Sequence, residues 1–146
     1  MGAMSDGHRR AQTAIQAILR LTNLLMTGKR VAVIGHEPEL AARLRAMGAQ
    51  TLVADPAAAL DGHRVMSEDE AVAIADLVVG ATEAHLPFLR DGAIVVRAEP
   101  SEMSRKPDLY EAPGLFAGMA GVRVRDGVTG YRLGPGREVF VLDLAC

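Results

Sequence analysis

Acidic and imidazole side chains follow directly after three apolar runs that are predicted to form β-strands. They are His36, Glu37 and Glu39 after the first run, Glu83 and His85 after the second, and Glu99 and Glu102 after the third. Parallel strands end at one edge of a sheet, and open α/β sheets bind ligands at that edge, so we expect these residues to share one crevice. Crowded carboxylates attract cations and share protons, which suits acid/base catalysis or the binding of a cation or an amine. For catalysis, the candidate acid and base are His36 and Glu37.

The same residues admit two other interpretations. A metal site could use His36, Glu37, Glu83 and His85, but their spacing matches no established ligand motif, so no metal is expected. Alternatively, the carboxylates are solvated side chains that fill a lost site and bind nothing. We prefer this last interpretation but leave the functional one open.

Apolar spacing and capping residues mark the predicted helices. Residues 8–26 carry an apolar stripe at three- and four-residue steps, which predicts one long helix. The stripe consists of Ala11, Ile15, Ile18, Thr22 and Leu25. Pro38 is tolerated in a first helical turn and predicts a helix that ends at Met47. Ser67 and Glu70 form a capping box that opens a further helix to about residue 75.

Short apolar runs predict the strands. They lie at residues 30–34, 51–54, 64–66, 77–79, 93–96, 122–128, 131–133 and 138–142. A turn is predicted at Asp55 and Pro56, and a short helical turn at residues 86–89. Strands alternate with helices over most of the length, whereas the last three strands are separated by short turns. The predicted fold class is therefore α/β, a Rossmann-like doubly wound parallel sheet with a C-terminal antiparallel ribbon.

The composition indicates one globular domain. The 146 residues are 49% apolar and 23% charged, which suffices for a single hydrophobic core. A net charge of −2 and an aromatic content of 3% argue against nucleic acid as a partner, and the apolar runs are too short to span a membrane. Cys146 is the one cysteine, so no internal disulfide forms, which fits the cytoplasm. Residues 1–3 look like a remnant of an expression vector, which leaves residues 4–146 as the domain. His63 is expected at the surface or in a turn.

A series of short motifs spans most of the chain. In order they are Ala11-Gln12-Thr13, Ile18-Leu19-Arg20-Leu21-Thr22-Asn23, Gly28-Lys29-Arg30-Val31-Ala32-Val33-Ile34-Gly35, Ala46-Met47-Gly48-Ala49, Asp91-Gly92-Ala93-Ile94-Val95 and Tyr131-Arg132-Leu133. The ordered set resembles the NAD-binding domain of S-adenosylhomocysteine hydrolase, from about Gln12 to Cys146. The resemblance implies a Rossmann fold. In the family, NAD bound to this domain transiently oxidises the 3′-hydroxyl of adenosine.

The chain departs from that family at positions that face the cofactor. The first strand of the family leads into G-x-G-x-x-G, whose glycines let the backbone approach a pyrophosphate. Here the three glycine positions are Gly35, Glu37 and Leu40. By an ungapped alignment, Glu83 and Glu99 replace glycines in two further loops.

Two other positions of the family's cofactor site have counterparts. Asp55 matches the acid that bonds the adenosine ribose, although the shortened chain around residues 56–60 leaves its register open. Thr82 lies in the loop where the family has Thr-Thr-Gly near the cofactor.

These departures imply that NAD does not bind and that no other cofactor is required. The family's separate substrate domain has no counterpart ahead of Ser5, so hydrolysis is not expected. One hypothesis is a module that binds a small molecule or a protein partner, and a weaker one is adenine-nucleotide binding through Asp55. The alternative is a small enzyme of a specialised biosynthetic pathway that uses the acidic crevice. Because the family is oligomeric and the first helix has an apolar stripe, we expect at least a homodimer.

Overall fold

In the described part of the chain, eight strands form one sheet with helices packed on both faces. The computed structural model describes residues 6–22, 25–35, 37–96, 121–125 and 128–142. In chain order the elements are α1 (Asp6–Leu21), β1 (Arg30–Val33), α2 (Pro38–Ala46), β2 (Gln50–Val53), a 3₁₀ helix (Pro56–Asp61), β3 (Arg64–Val65), α3 (Glu68–Ile74), β4 (Leu77–Val79), a second 3₁₀ helix (Glu83–Phe88), β5 (Ile94–Val96), β6 (Gly121–Arg125), β7 (Val128–Gly134) and β8 (Arg137–Leu142). Within these residues, no helix combines the length and the apolar character required to cross a membrane.

The strand order β3-β2-β1-β4-β5-β8-β7-β6 is that of a doubly wound sheet. Neighbours from β3 to β8 in this order are parallel, and β7 pairs antiparallel with both β8 and β6. The order reverses beside β1, so the carboxyl ends of β1 and β4 flank the switch point at which such folds bind ligands. The predicted parallel sheet with antiparallel strands at its C-terminal end is confirmed.

Alternating side chains of the strands divide the core into two layers. Val31 and Val33 of β1 pack with α1 and α2, whereas Ala32 packs on the other face with α3. Successive side chains of a strand point to opposite faces, so a strand covered on both sides needs apolar residues throughout. This explains why the predicted strand positions agree with the observed ones to within one or two residues for β1 to β5.

Three predicted elements differ from the structure. Helix α1 ends at Leu21 instead of residue 26, because the chain must leave the helix to reach the sheet, where the Gly28 N–H donates to the Gly48 carbonyl at 2.9 Å. The predicted strand at residues 122–128 is instead β6 and the start of β7. The predicted turn at Asp55 and Pro56 continues into the first 3₁₀ helix, since the Asp55 carboxylate caps that helix as readily as a turn.

Most side chains of the apolar stripe of α1 are buried against other parts of the same chain. Ala11 and Ile18 are fully buried and Ile15 is half-buried, but Leu25, beyond the end of the helix, is 71% exposed. Leu19, which is not part of the stripe, is 54% exposed. Burial of the stripe explains how α1 docks on the sheet. Self-association through this helix stays a prediction.

Asp76 and Arg90 form hydrogen bonds at the edge of the sheet opposite the predicted crevice. Asp76 accepts hydrogen bonds from the Arg30 N–H at 2.9 Å and from the Arg90 guanidinium, whose Nε also donates to the Ala75 carbonyl at 3.0 Å. Burial by itself raises the pKa of Asp76. The pKa is nevertheless lowered overall, because the hydrogen bond from Arg30, the hydrogen bond and charge of Arg90 and the charge of Lys29 together outweigh burial.

A depressed pKa means that the ionised Asp76 stabilises the fold at neutral pH and that this contribution is lost as pH falls through the folded-state value. We expect Asp76→Asn to lower the free energy of unfolding by about 1–2 kcal/mol at pH 7, with a smaller difference at pH 3. Urea unfolding at both pH values measures this, and the comparison is Asp69→Asn, an exposed carboxylate in the first turn of α3 whose loss should cost less, about 0.3–1 kcal/mol at pH 7. An equal loss of stability at both pH values would contradict the assignment.

Candidate ligand-binding cleft

A cleft with a volume of about 170 Å³ opens at the carboxyl ends of β1 and β2, on the face covered by α2. Valine, alanine and proline side chains from β1, β2, α2 and the first 3₁₀ helix form its apolar floor. Its polar side chains are Glu37, Asp55, Asp61 and His63, and Gly35 contributes backbone. We call this site the β1–β2 cleft. An apolar floor with a few polar groups at the edge is typical of a small-molecule site.

Asp55 is held at the edge of the cleft by its own backbone environment. It caps the first 3₁₀ helix, and its Oδ1 accepts a hydrogen bond from the Ala57 N–H at 3.0 Å. This bond orients the carboxylate and uses one of its two oxygens. The other oxygen can accept a hydrogen bond from a hydroxyl group of a ligand.

His63 was expected at the surface or in a turn, but the structure places it half-buried in the cleft. Its Nδ1 contacts the hydroxyl of Thr51, which is 2% exposed. The signal in the sequence was Thr51 itself, since a polar side chain at a core-facing strand position needs a polar partner. His63 meets this need because β3 pairs with β2 and brings the residue before β3 beside Thr51.

The loop after β1 shows what replaces a glycine-rich phosphate loop. Gly35 keeps a left-handed backbone, with φ of +86°, at the end of the strand. Glu37 is the N-cap of α2, and Pro38 at the first helical position has no N–H. Leu40 is 2% exposed and packs between α2 and β1, where a glycine would bring helix and strand closer. The loop therefore offers fewer donors and more negative charge to an anion than a glycine-rich loop does.

A carboxylate outside the set of predicted site residues connects two loops at this edge. Glu68, at the start of α3, accepts from the Gly35 N–H at 3.3 Å and contacts His85 Nε2 at 3.2 Å. His85 is 5% exposed, and its Nδ1 accepts from the Thr82 N–H at 2.9 Å. No local pattern singles out Glu68, because its partners Gly35 and His85 lie 33 and 17 residues away along the chain.

The structure places the predicted site residues in two groups. Gly35, Glu37 and Asp55 line the β1–β2 cleft. Thr82 and His85 lie at the end of β4 and connect to Gly35 through Glu68. Glu39 lies in the first turn of α2 and is not part of the cleft lining.

Three predicted residues, His36, Glu99 and Glu102, lie outside the described residues, and Glu83 is described by its backbone alone. The acidic crevice as a whole, and its acid/base function, therefore stay predictions. No three His, Cys, Asp or Glu side chains in the described ranges lie together in a way that could hold a metal ion.

Comparison with known proteins gives sequence relatives and fold neighbours of this chain. It is 36% identical to the adenosylhomocysteinase of Pyrococcus abyssi over 148 residues, which are 90% of this chain and 34% of the relative. It is 33% identical to the S-inosyl-L-homocysteine hydrolase of Methanocaldococcus jannaschii, with coverage of 92% and 37%. No protein-family model matches the chain.

The solved structures agree on the fold. The apo-structure of D-lactate dehydrogenase from Escherichia coli superposes with a TM-score of 0.53 and 20% identity, over 64% of this chain and 43% of that one. At this identity the likeness shows the fold alone. The chain spans about a third of the length of its curated relatives. The conclusion from sequence and fold together is that this chain is a Rossmann-fold relative of the adenosylhomocysteinases, similar to their NAD-binding portion.

Proposed function

We propose that this chain is a ligand-binding domain that has lost NAD binding and hydrolase activity and whose β1–β2 cleft binds a nucleoside. The observation that carries the proposal is the composition of the cleft. Its apolar floor and the oriented Asp55 carboxylate suit a nucleoside, whereas Glu37 stands at a glycine position of the family's phosphate loop and Pro38 removes a backbone donor for a pyrophosphate.

The loss of NAD binding follows from charge and from missing donors. A pyrophosphate at the start of α2 would meet the Glu37 carboxylate and would receive no hydrogen bond from Pro38. Two like charges about 4 Å apart repel by about 4 kcal/mol at an effective dielectric near 20, and solvent reduces this at the half-buried Glu37. Even a fraction of this energy weakens binding by more than tenfold.

The choice of a nucleoside rests on the cleft and on the resemblance of Asp55 to an acid of the family. NAD carries an adenosine, and Asp55 matches the acid that bonds the ribose of that adenosine. A volume of about 170 Å³ is below the ~300–1,000 Å³ of sites that enclose drug-sized ligands, so the cleft has room for one ring system of a ligand, such as a purine or a ribose. The carboxylate of Asp55 can accept hydrogen bonds from ribose hydroxyls.

Replacing Asp55 with Asn tests this proposal without removing the helix cap, because Asn caps as well as Asp. We expect adenosine or inosine to bind the wild type, and Asp55→Asn to weaken binding by about tenfold through loss of a charge-assisted hydrogen bond. Isothermal titration calorimetry measures the affinity. A thermal-shift panel of adenosine, inosine, S-adenosylhomocysteine, S-adenosylmethionine, NAD, NADH and polyamines compares the ligand classes.

The matched control is Asp69→Asn, which removes the same charge from an exposed position that does not line the cleft. It should leave the affinity unchanged. The proposal is wrong if neither nucleoside stabilises or binds the protein, or if a polyamine is the one ligand that does.

A further inference from the structure

The Glu68 carboxylate occupies the gap between the loops that follow β1 and β4. One of its oxygens accepts from the Gly35 N–H at 3.3 Å, and the other lies 3.2 Å from His85 Nε2. Gly35 lines the β1–β2 cleft, whereas Glu68 does not, so the N–H of a cleft residue is already bonded to a carboxylate that lies just outside the cleft. An anion on the ligand would have to compete with Glu68 for this donor.

His85 holds Glu68 without neutralising it. The Thr82 backbone N–H can only donate, so His85 Nδ1 must accept from it, at 2.9 Å. The single ring proton of a neutral imidazole then sits on Nε2 and is donated to Glu68. The pair therefore keeps the full negative charge of the carboxylate, and the buried ring fixes its position, since His85 is only 5% exposed.

We propose that Glu68 makes the β1–β2 cleft select nucleosides without a phosphate over nucleotides. This inference rests on the proposed nucleoside-binding function and names the class of ligand that the cleft accepts. A 5′-phosphate placed toward the loop after β1 would meet the Glu37 carboxylate in the cleft, the charge of Glu68 on the far side of Gly35, and a Gly35 N–H that is already engaged. A neutral ribose avoids this repulsion and needs no backbone donor from the loop.

The test compares the affinities of adenosine and adenosine 5′-monophosphate by calorimetry, in the wild type and in Glu68→Gln. We expect the wild type to prefer adenosine by about tenfold or more at low salt, and the preference to shrink as salt screens the repulsion. In Glu68→Gln, the monophosphate should gain about tenfold, or about 1.4 kcal/mol, while adenosine stays within about twofold. Glu68 is partly exposed and Gln has nearly the same shape, so this variant is expected to fold.

Asp69→Asn is the control, because it removes a neighbouring charge on the same helical turn without touching Gly35 or His85. It should leave the preference for adenosine unchanged. The inference about Glu68 is wrong, while the proposed function stands, if adenosine binds the wild type but the monophosphate binds equally well. The same holds if Glu68→Gln does not narrow the difference in affinity between adenosine and the monophosphate. If neither compound binds the wild type, the proposed function fails and the inference fails with it.

Discussion

The double substitution Glu37→Gly and Pro38→Ala should raise the affinity of this chain for NAD by at least about tenfold, and up to about a hundredfold. The wild type is expected to bind NAD no tighter than about 1 mM. The substitutions remove a carboxylate from the N-cap of α2 and restore an N–H at its first helical position. The start of a helix attracts anions because its N–H groups point outward and its dipole is positive there.

The gain is limited by what the substitutions leave in place. Leu40 still separates α2 from β1, and Glu68 still engages the Gly35 N–H. We therefore expect an affinity in the range of about 10–100 µM and no tighter. Calorimetric titration with NAD measures this in both proteins.

Glu39→Gln provides the matched control, since it removes one charge from the same helical turn but frees neither the N-cap nor the donor position. It should improve NAD binding by no more than about twofold. Micromolar NAD binding by the wild type would contradict the expected loss of the cofactor. So would a double variant whose affinity for NAD stays unchanged.

Leu40→Ala should lower the free energy of unfolding by about 2–5 kcal/mol. Leu40 stands at the third glycine position of the family's phosphate loop, yet its side chain is 2% exposed and belongs to the same buried core cluster as Ile18, Val31 and Val33. Truncation removes apolar contacts and leaves a cavity that rigid neighbours fill only in part. The loss is a large share of the ~5–15 kcal/mol that stabilises a typical domain.

Urea denaturation measures the loss, and Leu60→Ala is the control because Leu60 is 90% exposed. The control should change stability by no more than about 0.5 kcal/mol. If Leu40→Ala is equally mild, Leu40 is a replaceable loop residue and not part of the core. A large effect instead means that the chain now depends on a side chain that occupies a former glycine position, so glycine cannot return there without a cost in stability.

The proposed cleft could be located from the sequence only in part. Gly35, Glu37 and Asp55 follow strands whose apolar character marks them in the sequence, so the loops that line the cleft were predictable. The depth of the cleft was not predictable, because it depends on the 3₁₀ helix at Pro56–Asp61 and on how α2 packs. A turn at Asp55 and Pro56 is compatible with the same local sequence, so tertiary packing decides between turn and helix.

The sequence by itself determined the order and type of the three α-helices and of strands β1 to β5, and the family resemblance. Strands covered on both faces require continuous apolar runs, and the capping box of Ser67 and Glu70 satisfies the backbone groups of its own helix. These requirements are local, so they can be recognised within a few neighbouring residues. The tertiary structure alone decided the pairing of His63 with Thr51 and of Glu68 with Gly35 and His85. The partners in these pairs are 12 to 33 residues apart, and hydrogen bonds demand positions correct to a few tenths of an ångström. Burial of apolar surface has no such directional requirement, and therefore the pattern of apolar residues specifies the sheet but not which polar side chains meet at its edge.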